Sequence, residues 1–232
     1  MKIVAVVQAR MRSSRLPNKV MKLICNEPLI GLLFSRLSKA KEIDRIILAT
    51  SIDQSNDPLV KYIQELGYFC FRGSENDVLD RYLQAAKTVG ADAVVRITGD
   101  CPLIDPSLVD KVVSLFREKN VDYFSNISPP TYPDGLDVEV FTVSALERAS
   151  SQTSNKAHHE HVTSFIRESG LFVTDGIAHI ENLSFLRWTV DEQVDYEVVK
   201  NIFEYFSPDI NFLWTDILQL YKSHPKLFAS EK

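Results

Sequence analysis

Residues 1–26 carry six basic side chains, Lys2, Arg10, Arg12, Arg15, Lys19 and Lys22, and no acidic one. Four of them, Arg10, Arg12, Arg15 and Lys19, fall in residues 8–19 with the hydroxyls of Ser13 and Ser14. Arginine offers phosphate oxygens a forked, permanently charged set of donors, and lysine offers a mobile point charge. Charge segregated in this way points to polyphosphate binding rather than to an ordinary solvated loop. Neither G-x-x-x-x-G-K-[ST] nor G-x-G-x-x-G occurs, so side chains must do much of the holding that a glycine-rich backbone does elsewhere.

Two carboxylates could complete such a site. Asp100 stands in the run Arg96-Ile97-Thr98-Gly99-Asp100-Cys101-Pro102, just past a buried strand, and Asp191 ends a second apolar run ahead of a helix. Mg²⁺ commonly takes one or two protein carboxylates and completes its shell with phosphate oxygens and water. Each residue also has a structural alternative, an Asx-turn at Asp100 and a helix N-cap at Asp191. Asp105 precedes Pro106 and reads as an N-cap. The cluster His158-His159-Glu160-His161 misses the H-E-x-x-H zinc pattern because Thr163 stands at the second histidine position, so it reads as a polar helix surface. No sequence feature sets a histidine beside a serine or cysteine as in a hydrolase triad.

These side chains need a frame. Residues 3–7, 45–50, 68–71 and 93–98 are short β-branched or aromatic runs. They alternate with helical stripes at 28–40, 58–66, 78–89 and 105–119. That alternation predicts an α/β fold with a doubly wound, mostly parallel sheet. Ligands in such sheets bind beyond the carboxyl ends of the strands, here Gln8-Ala9-Arg10, Thr50-Ser51, Phe71-Arg72-Gly73 and Thr98-Gly99-Asp100. The rhythm breaks after Asn120. Strands are expected at 138–141, 171–174 and 187–191, and helices at 144–150, 157–167, from Val194 to Phe206 and at 213–221. Residues 127–185 read as an elaboration of a single 1–232 domain, serving as a dimerisation arm or a substrate flap.

Composition narrows the class. The chain has 232 residues, 45% hydrophobic and 25% charged, with a formal net charge of −5. That is an ordinary globular mix, and the negative balance argues against a sequence-independent nucleic-acid binder. Three cysteines, Cys25, Cys70 and Cys101, form no C-x-x-C pair; this suits a reducing cytoplasm and no structural zinc. No apolar run approaches the roughly 18 residues of a membrane span, and the start reads as a first strand rather than a signal peptide.

The same residues resemble a known family. Gln8-Ala9-Arg10-Met11-Arg12-Ser13-Ser14-Arg15-Leu16-Pro17-Asn18-Lys19 is similar to the first motif of the nucleotide-sugar cytidylyltransferases, closest to the spore coat polysaccharide biosynthesis protein F group, homologues of CMP-KDO synthetase. The family usually has glycine near the positions of Arg12 and Asn18. Further matches are Phe71 to Ser74, Asp77 to Tyr82, Arg96 to Ile104, Pro133 to Phe141, Glu160 to Thr163, and Thr189 to Asp191 with Asp195-Tyr196.

The resemblance implies a nucleotide-diphospho-sugar transferase-like sheet, a cytoplasmic homodimer, and transfer of CMP from CTP to an acidic sugar or related acceptor for polysaccharide biosynthesis. It implies that Arg10 and Lys19 hold the triphosphate, helped by Gln8, Ala9, Ser13, Ser14, Arg15, Arg72, Gly73, Asp80, Arg96 and Thr98. Asp100 and Asp191 would hold Mg²⁺, and Asp137, Glu139 and His161 would lie near the acceptor. The alternatives are a metal-dependent glycosyltransferase, which usually carries an Asp-x-Asp that is absent here (Asp137-Val138-Glu139 is the nearest imitation), and a non-catalytic nucleotide binder.

Overall fold

The structure, a computed structural model, describes residues 1–229. The chain opens with β1 (Ile3–Gln8), a small hairpin of β2 (Leu23–Ile24) and β3 (Glu27–Pro28), and α1 (Leu29–Leu37). It continues through β4 (Arg45–Ser51), α2 (Asp57–Glu65), β5 (Phe69–Gly73), α3 (Val78–Thr88), β6 (Ala93–Thr98) and α4 (Pro106–Lys119). The middle holds β7 (Tyr123–Ser125), β8 (Glu139–Thr142), α5 (Val143–Gln152), α6 (Lys156–His161), α7 (Ser164–Glu168) and β9 (Thr174–Gly176). The chain then forms α8 (Gln193–Phe206) and α9 (Trp214–Ser223).

One seven-stranded sheet runs β5-β4-β1-β6-β8-β7-β9. β5, β4, β1 and β6 are mutually parallel, β8 is antiparallel to both β6 and β7, and β9 is parallel to β7. β1 and β6 bury both faces, as their branched composition requires. Val4, Val6 and Val94 pack with α3 and α5 on one side, while Ile3, Ala5, Val7 and Val95 pack with α1, α2, α4 and α8 on the other. Helix starts follow local chemistry. The Asp105 carboxylate accepts from the Ser107 and Leu108 amides at 2.8 and 3.0 Å, with Pro106 in the first turn. Its other oxygen accepts from the Trp214 amide at 2.7 Å, tying α9 to α4.

Four expectations change. Residues 187–191 form no strand. Asp134 and Arg187 share a single parallel bridge, and the donors of the segment serve loops: the Trp188 amide donates to the Asp134 carbonyl at 2.7 Å and the Val190 amide to that of Asp100 at 2.8 Å. The helix expected at 157–167 is two helices, broken at Val162 with φ 55°, which no helix accommodates. The strand expected at 171–174 lies three residues later as β9, and β7 is additional. Among the described residues no helix is long and apolar enough to cross a membrane.

Candidate active site

The loop after β1 is a folded object. The Gly99 amide donates to the Gln8 carbonyl at 2.7 Å, and a Cβ on Gly99 would lie 2.6 Å from that of Ala9, so glycine is what lets the ends of β1 and β6 meet. The Met11 amide donates to the buried Asn56 side chain at 2.8 Å, and the Asn56 amide group donates to Ser51 Oγ at 2.8 Å. The Asn18 amide closes the loop on the Met11 carbonyl at 3.1 Å. Asn18 itself sits at φ 56° and starts the short turn that presents Lys19. Asparagine tolerates the left-handed region, so this chain keeps the bend without a glycine there.

The loop and the strand ends enclose a cleft of about 270 Å³. It is lined by Gln8, Ala9, Arg10, Ser13, Ser14, Arg15, Lys19, Thr98, Asp100 and Asp191, all expected, and by Arg81. Asp100 and Asp191, far apart in sequence, converge: Lys19 Nζ donates to both, at 2.8 Å each, with the lysine side chain only 11% exposed. Asp191 also pairs with Arg15 at 3.0 Å and Arg187 at 3.2 Å. Burial disfavours its charged form, but the Lys19 hydrogen bond and the charges of Lys19, Arg15 and Arg187 outweigh this and hold its carboxyl below the usual range. Burial likewise works against the Lys19 ammonium, and Asp100 and Asp191 together raise it.

Asp191 does not cap a helix. Glu192 occupies that position before α8, and Asp195 takes the amides of Asp191 and Glu192 at 2.9 Å each while gripping Arg187 at 2.7 and 3.0 Å. The Asp191 side chain therefore faces the cleft. Gly135 secures the approach: at φ 108°, a Cβ there would lie 2.6 Å from the Trp188 backbone.

Two carboxylates already sharing one cation at hydrogen-bond distance are a suitable pair of hard oxygen donors for Mg²⁺. Among the described residues no group of three or more His, Cys, Asp or Glu could hold a metal, so phosphate oxygens and water would complete the shell.

The loop cations are not free. Arg10 pairs with Glu75 at 3.0 Å, Arg12 with Asp53 at 3.1 Å, and Arg15 with Asp191 and more loosely with Glu192. A bound polyphosphate would exchange these partners.

Several expected residues lie outside this cleft. Arg72 clamps the turn after β4 through Asp57 and the Ser51 and Asp53 carbonyls. Gly73 pairs with Ser51 in the sheet. Asp80 faces Gln84 on the outer side of α3. The neighbouring Arg81 faces inward instead, 3% exposed, with its Nε unpartnered. Val78 and Ala85 flank Arg81 at helical spacing and are buried, a signal that favoured Arg81 over Asp80 as the inward residue.

Arg96 and His161 line a second cleft of about 810 Å³, continuous with the first at Gln8, Arg10 and Arg81. Glu139 is 2% exposed, with its oxygens taken by Arg96, Tyr123 and Thr163; it has no free face for an acceptor. Asp137 is reached by water but densely walled. Burial pushes its carboxyl up to about 7, with Asp134, Glu139 and Asp100 adding to the rise and Arg96 opposing it. His159 pairs with Asp77 at 2.9 Å and His158 with Thr153 at 2.7 Å.

Comparison with known proteins shows the family and the fold. Residues 4–209 match the family described as Cytidylyltransferase. The spore coat polysaccharide biosynthesis protein SpsF of Bacillus subtilis is 31% identical over 87% of this chain and 86% of its own length. A 3-deoxy-manno-octulosonate cytidylyltransferase of Pelobacter propionicus is 33% identical, over 49% of this chain and 44% of that one. The solved structure of a cytidylyltransferase from Leptospira borgpetersenii superposes with a TM-score of 0.95 at 31% identity, covering 100% of this chain and 98% of that one.

Proposed function

This chain belongs to the cytidylyltransferase family, and from that premise we propose that it transfers CMP from CTP to a hydroxyl of an acidic sugar or related acceptor, with Mg²⁺ as cofactor. The acceptor hydroxyl loses its proton to water as its oxygen bonds to the α-phosphorus, the bond from that phosphorus to the oxygen bridging to the β-phosphorus breaks, and pyrophosphate leaves with that oxygen. The observation that carries this reading is the meeting of Lys19, Asp100 and Asp191 at one point in a cleft walled by Arg10, Arg15, Ser13 and Ser14.

Such chemistry needs positioning and charge neutralisation more than covalent help. Arg10, Arg15 and Lys19 would give up carboxylate partners for phosphate oxygens and offset charge on the leaving pyrophosphate. Asp100 and Asp191 would hold Mg²⁺, which supplies further neutralisation when bound. The loop cations lie on the β1 side of β6. On the other side β8 pairs with β6, Glu139 opposite Arg96. Asp137 lies near enough to Arg96 and Asp100 for their charges to act on its carboxyl, and it would stand beside the acceptor. SpsF and the octulosonate enzyme, by their names, favour an acidic-sugar acceptor and a role in polysaccharide biosynthesis.

The test is pyrophosphate release from CTP, ATP, GTP and UTP against a panel of acidic sugars, with and without Mg²⁺. Release specific to CTP, acid and Mg²⁺ is expected. D100N and D191N should each lower turnover about 100-fold or more, the scale seen when one preorganised electrostatic group is lost, with the folded circular dichroism spectrum retained. Full turnover in D100N removes Asp100 from the metal role. Sugar-dependent release of a nucleoside diphosphate instead of pyrophosphate replaces the reading with a glycosyltransferase.

A further inference from the structure

Arg96 is built in an unusual way for a strand residue. It faces the α3 side of the sheet, and its Nη1 donates to Glu139 Oε1. Glu139, 2% exposed, accepts on its other oxygen from Tyr123 Oη at 2.7 Å and Thr163 Oγ1 at 2.6 Å. Three donors on one buried carboxylate leave it a single orientation, and that fixes the guanidinium. Arg96 Nε has no hydrogen-bond partner among the described residues, and the hydroxyl of the buried Tyr82 lies beside the guanidinium. Nε and Nη2 form the side-on edge of a guanidinium, which matches the two oxygens of a carboxylate or phosphonate. A purely structural ion pair would gain nothing from an orphaned donor, whose burial costs stability.

The surroundings say what the edge is for. Arg96 lines the second cleft. Of the acids there, Glu75 is held by Arg10 and Asp77 by His159, and Glu160 is exposed at the rim, while Arg81 and Lys156 have no carboxylate within salt-bridge distance among the described residues. No Phe, Tyr or Trp lines the cleft, and its only rings among the described residues are the imidazoles of His159 and His161. Its guanidinium and ammonium donors fit a hydroxylated anion.

We propose that Arg96, held in place by Glu139, is a specificity-determining residue that receives an oxyanion of the acceptor, a carboxylate or a phosphonate, in this second cleft. The proposal rests on the reading of the chain as a CMP-transferring enzyme, and Glu139 is a positioning residue within it.

The experiment is calorimetric titration of the full chain, loaded with Mg²⁺ and α,β-methylene-CTP, with 3-deoxy-manno-octulosonate, hydroxymethylphosphonate and glucose. At least one acidic probe should bind and glucose should not; which acid binds separates carboxylate from phosphonate. R96K keeps the charge beside Glu139 but loses the side-on edge, and should weaken the acid about tenfold or more while the nucleotide affinity stays within about twofold. T163V, which loosens Glu139, should weaken the acid in the same selective way. Should R96K fail to fold, the double variant R96M with E139Q removes both charges together and should show the same selective loss. Equal acid binding by R96K and the parent chain overturns the proposal, as does a parallel loss of nucleotide, which would make Arg96 a nucleotide contact. Binding of methylene-CTP without either acid overturns it and leaves the CTP reading standing. No binding of methylene-CTP removes the reading itself, and the proposal with it.

Discussion

Lys19 occupies the point at which two carboxylates meet, so in the nucleotide-free chain it does the work of a counter-cation. Removing it leaves Asp100 and Asp191 facing each other in a site only partly open to water, with side-chain exposures of 25% and 22%. Losing one partner of a charged hydrogen bond costs about 1–3 kcal/mol. K19M should therefore melt earlier than the parent chain, and millimolar Mg²⁺ or Mn²⁺ should restore more of its stability than it adds to the parent. Melting curves with and without the cation decide the matter. A K19M chain indifferent to divalent cations means that the two acids do not form a cation site. Little of this geometry was legible beforehand. The basic run was plain in residues 8–19, but its acidic partners, Asp53, Glu75, Asp100, Asp191 and Glu192, come from four other loops. Local composition cannot register them, and a cluster that looks unopposed in sequence is paired in space.

At the scale of elements, the four parallel strands and their helices were readable because buried strands and amphipathic helices carry their own periodicity. The segment 187–191 was misread as a strand because its apolar run reflects burial, Trp188 being wholly enclosed, while its hydrogen bonds go to the turns at Asp134 and Asp100. The helix pair α6 and α7 was merged for a related reason: nothing in the side chain of Val162 announces a positive φ. α6 matters because it walls the second cleft, and His159 fastens it. Its Nδ1 meets Asp77 Oδ2 at 2.9 Å and its Nε2 meets the Thr153 carbonyl at 3.1 Å, so both ring nitrogens face acceptors. The Asp77 hydrogen bond first, then the Thr153 carbonyl, raises the imidazole above its ordinary value, against a smaller effect of burial. A raised value means that the folded chain holds the proton more tightly than the unfolded one. The stabilisation is complete below the unfolded pKa near 6.5 and fades as pH climbs through the folded value. Amide exchange across α6, corrected for intrinsic rates, should accelerate about two- to fivefold between pH 6 and 8, in keeping with a water-accessible ion pair. H159Q should show no such change. Equal acceleration in both would place the fastening elsewhere.

Exposed apolar side chains are scattered over the molecule, and four of the most exposed fall in one stretch of chain. Leu171 and Val173 are exposed just before the edge strand β9, and Ile180 and Phe185 stand out from the loop that follows, Ile180 with its entire side chain in water. All four belong to the stretch read from sequence as an elaboration. β9 is three residues long and ends the sheet, with its outer backbone edge unpaired by any strand among the described residues. Short edges limit open-ended pairing, whereas clustered exposed apolar side chains mark a surface that another body covers. A second copy of this chain, meeting it through the same patch about a two-fold axis, satisfies both conditions, because such a contact closes on itself. Each apolar side chain fully buried there contributes about 1.5–3 kcal/mol. Replacing Ile180 and Phe185 with glutamate should therefore shift the dimer constant by well over about tenfold. Sedimentation equilibrium should find a dimer for the parent chain and a monomer for I180E with F185E at the same concentration. The cleft lined by Arg10, Arg15 and Lys19 lies at the carboxyl ends of β1 and β6, within one chain, so the CTP affinity expected of it should survive the separation. A parent chain that sediments as a monomer at concentrations up to about 100 µM, or a double variant that stays dimeric, would show that this patch is not where two copies meet.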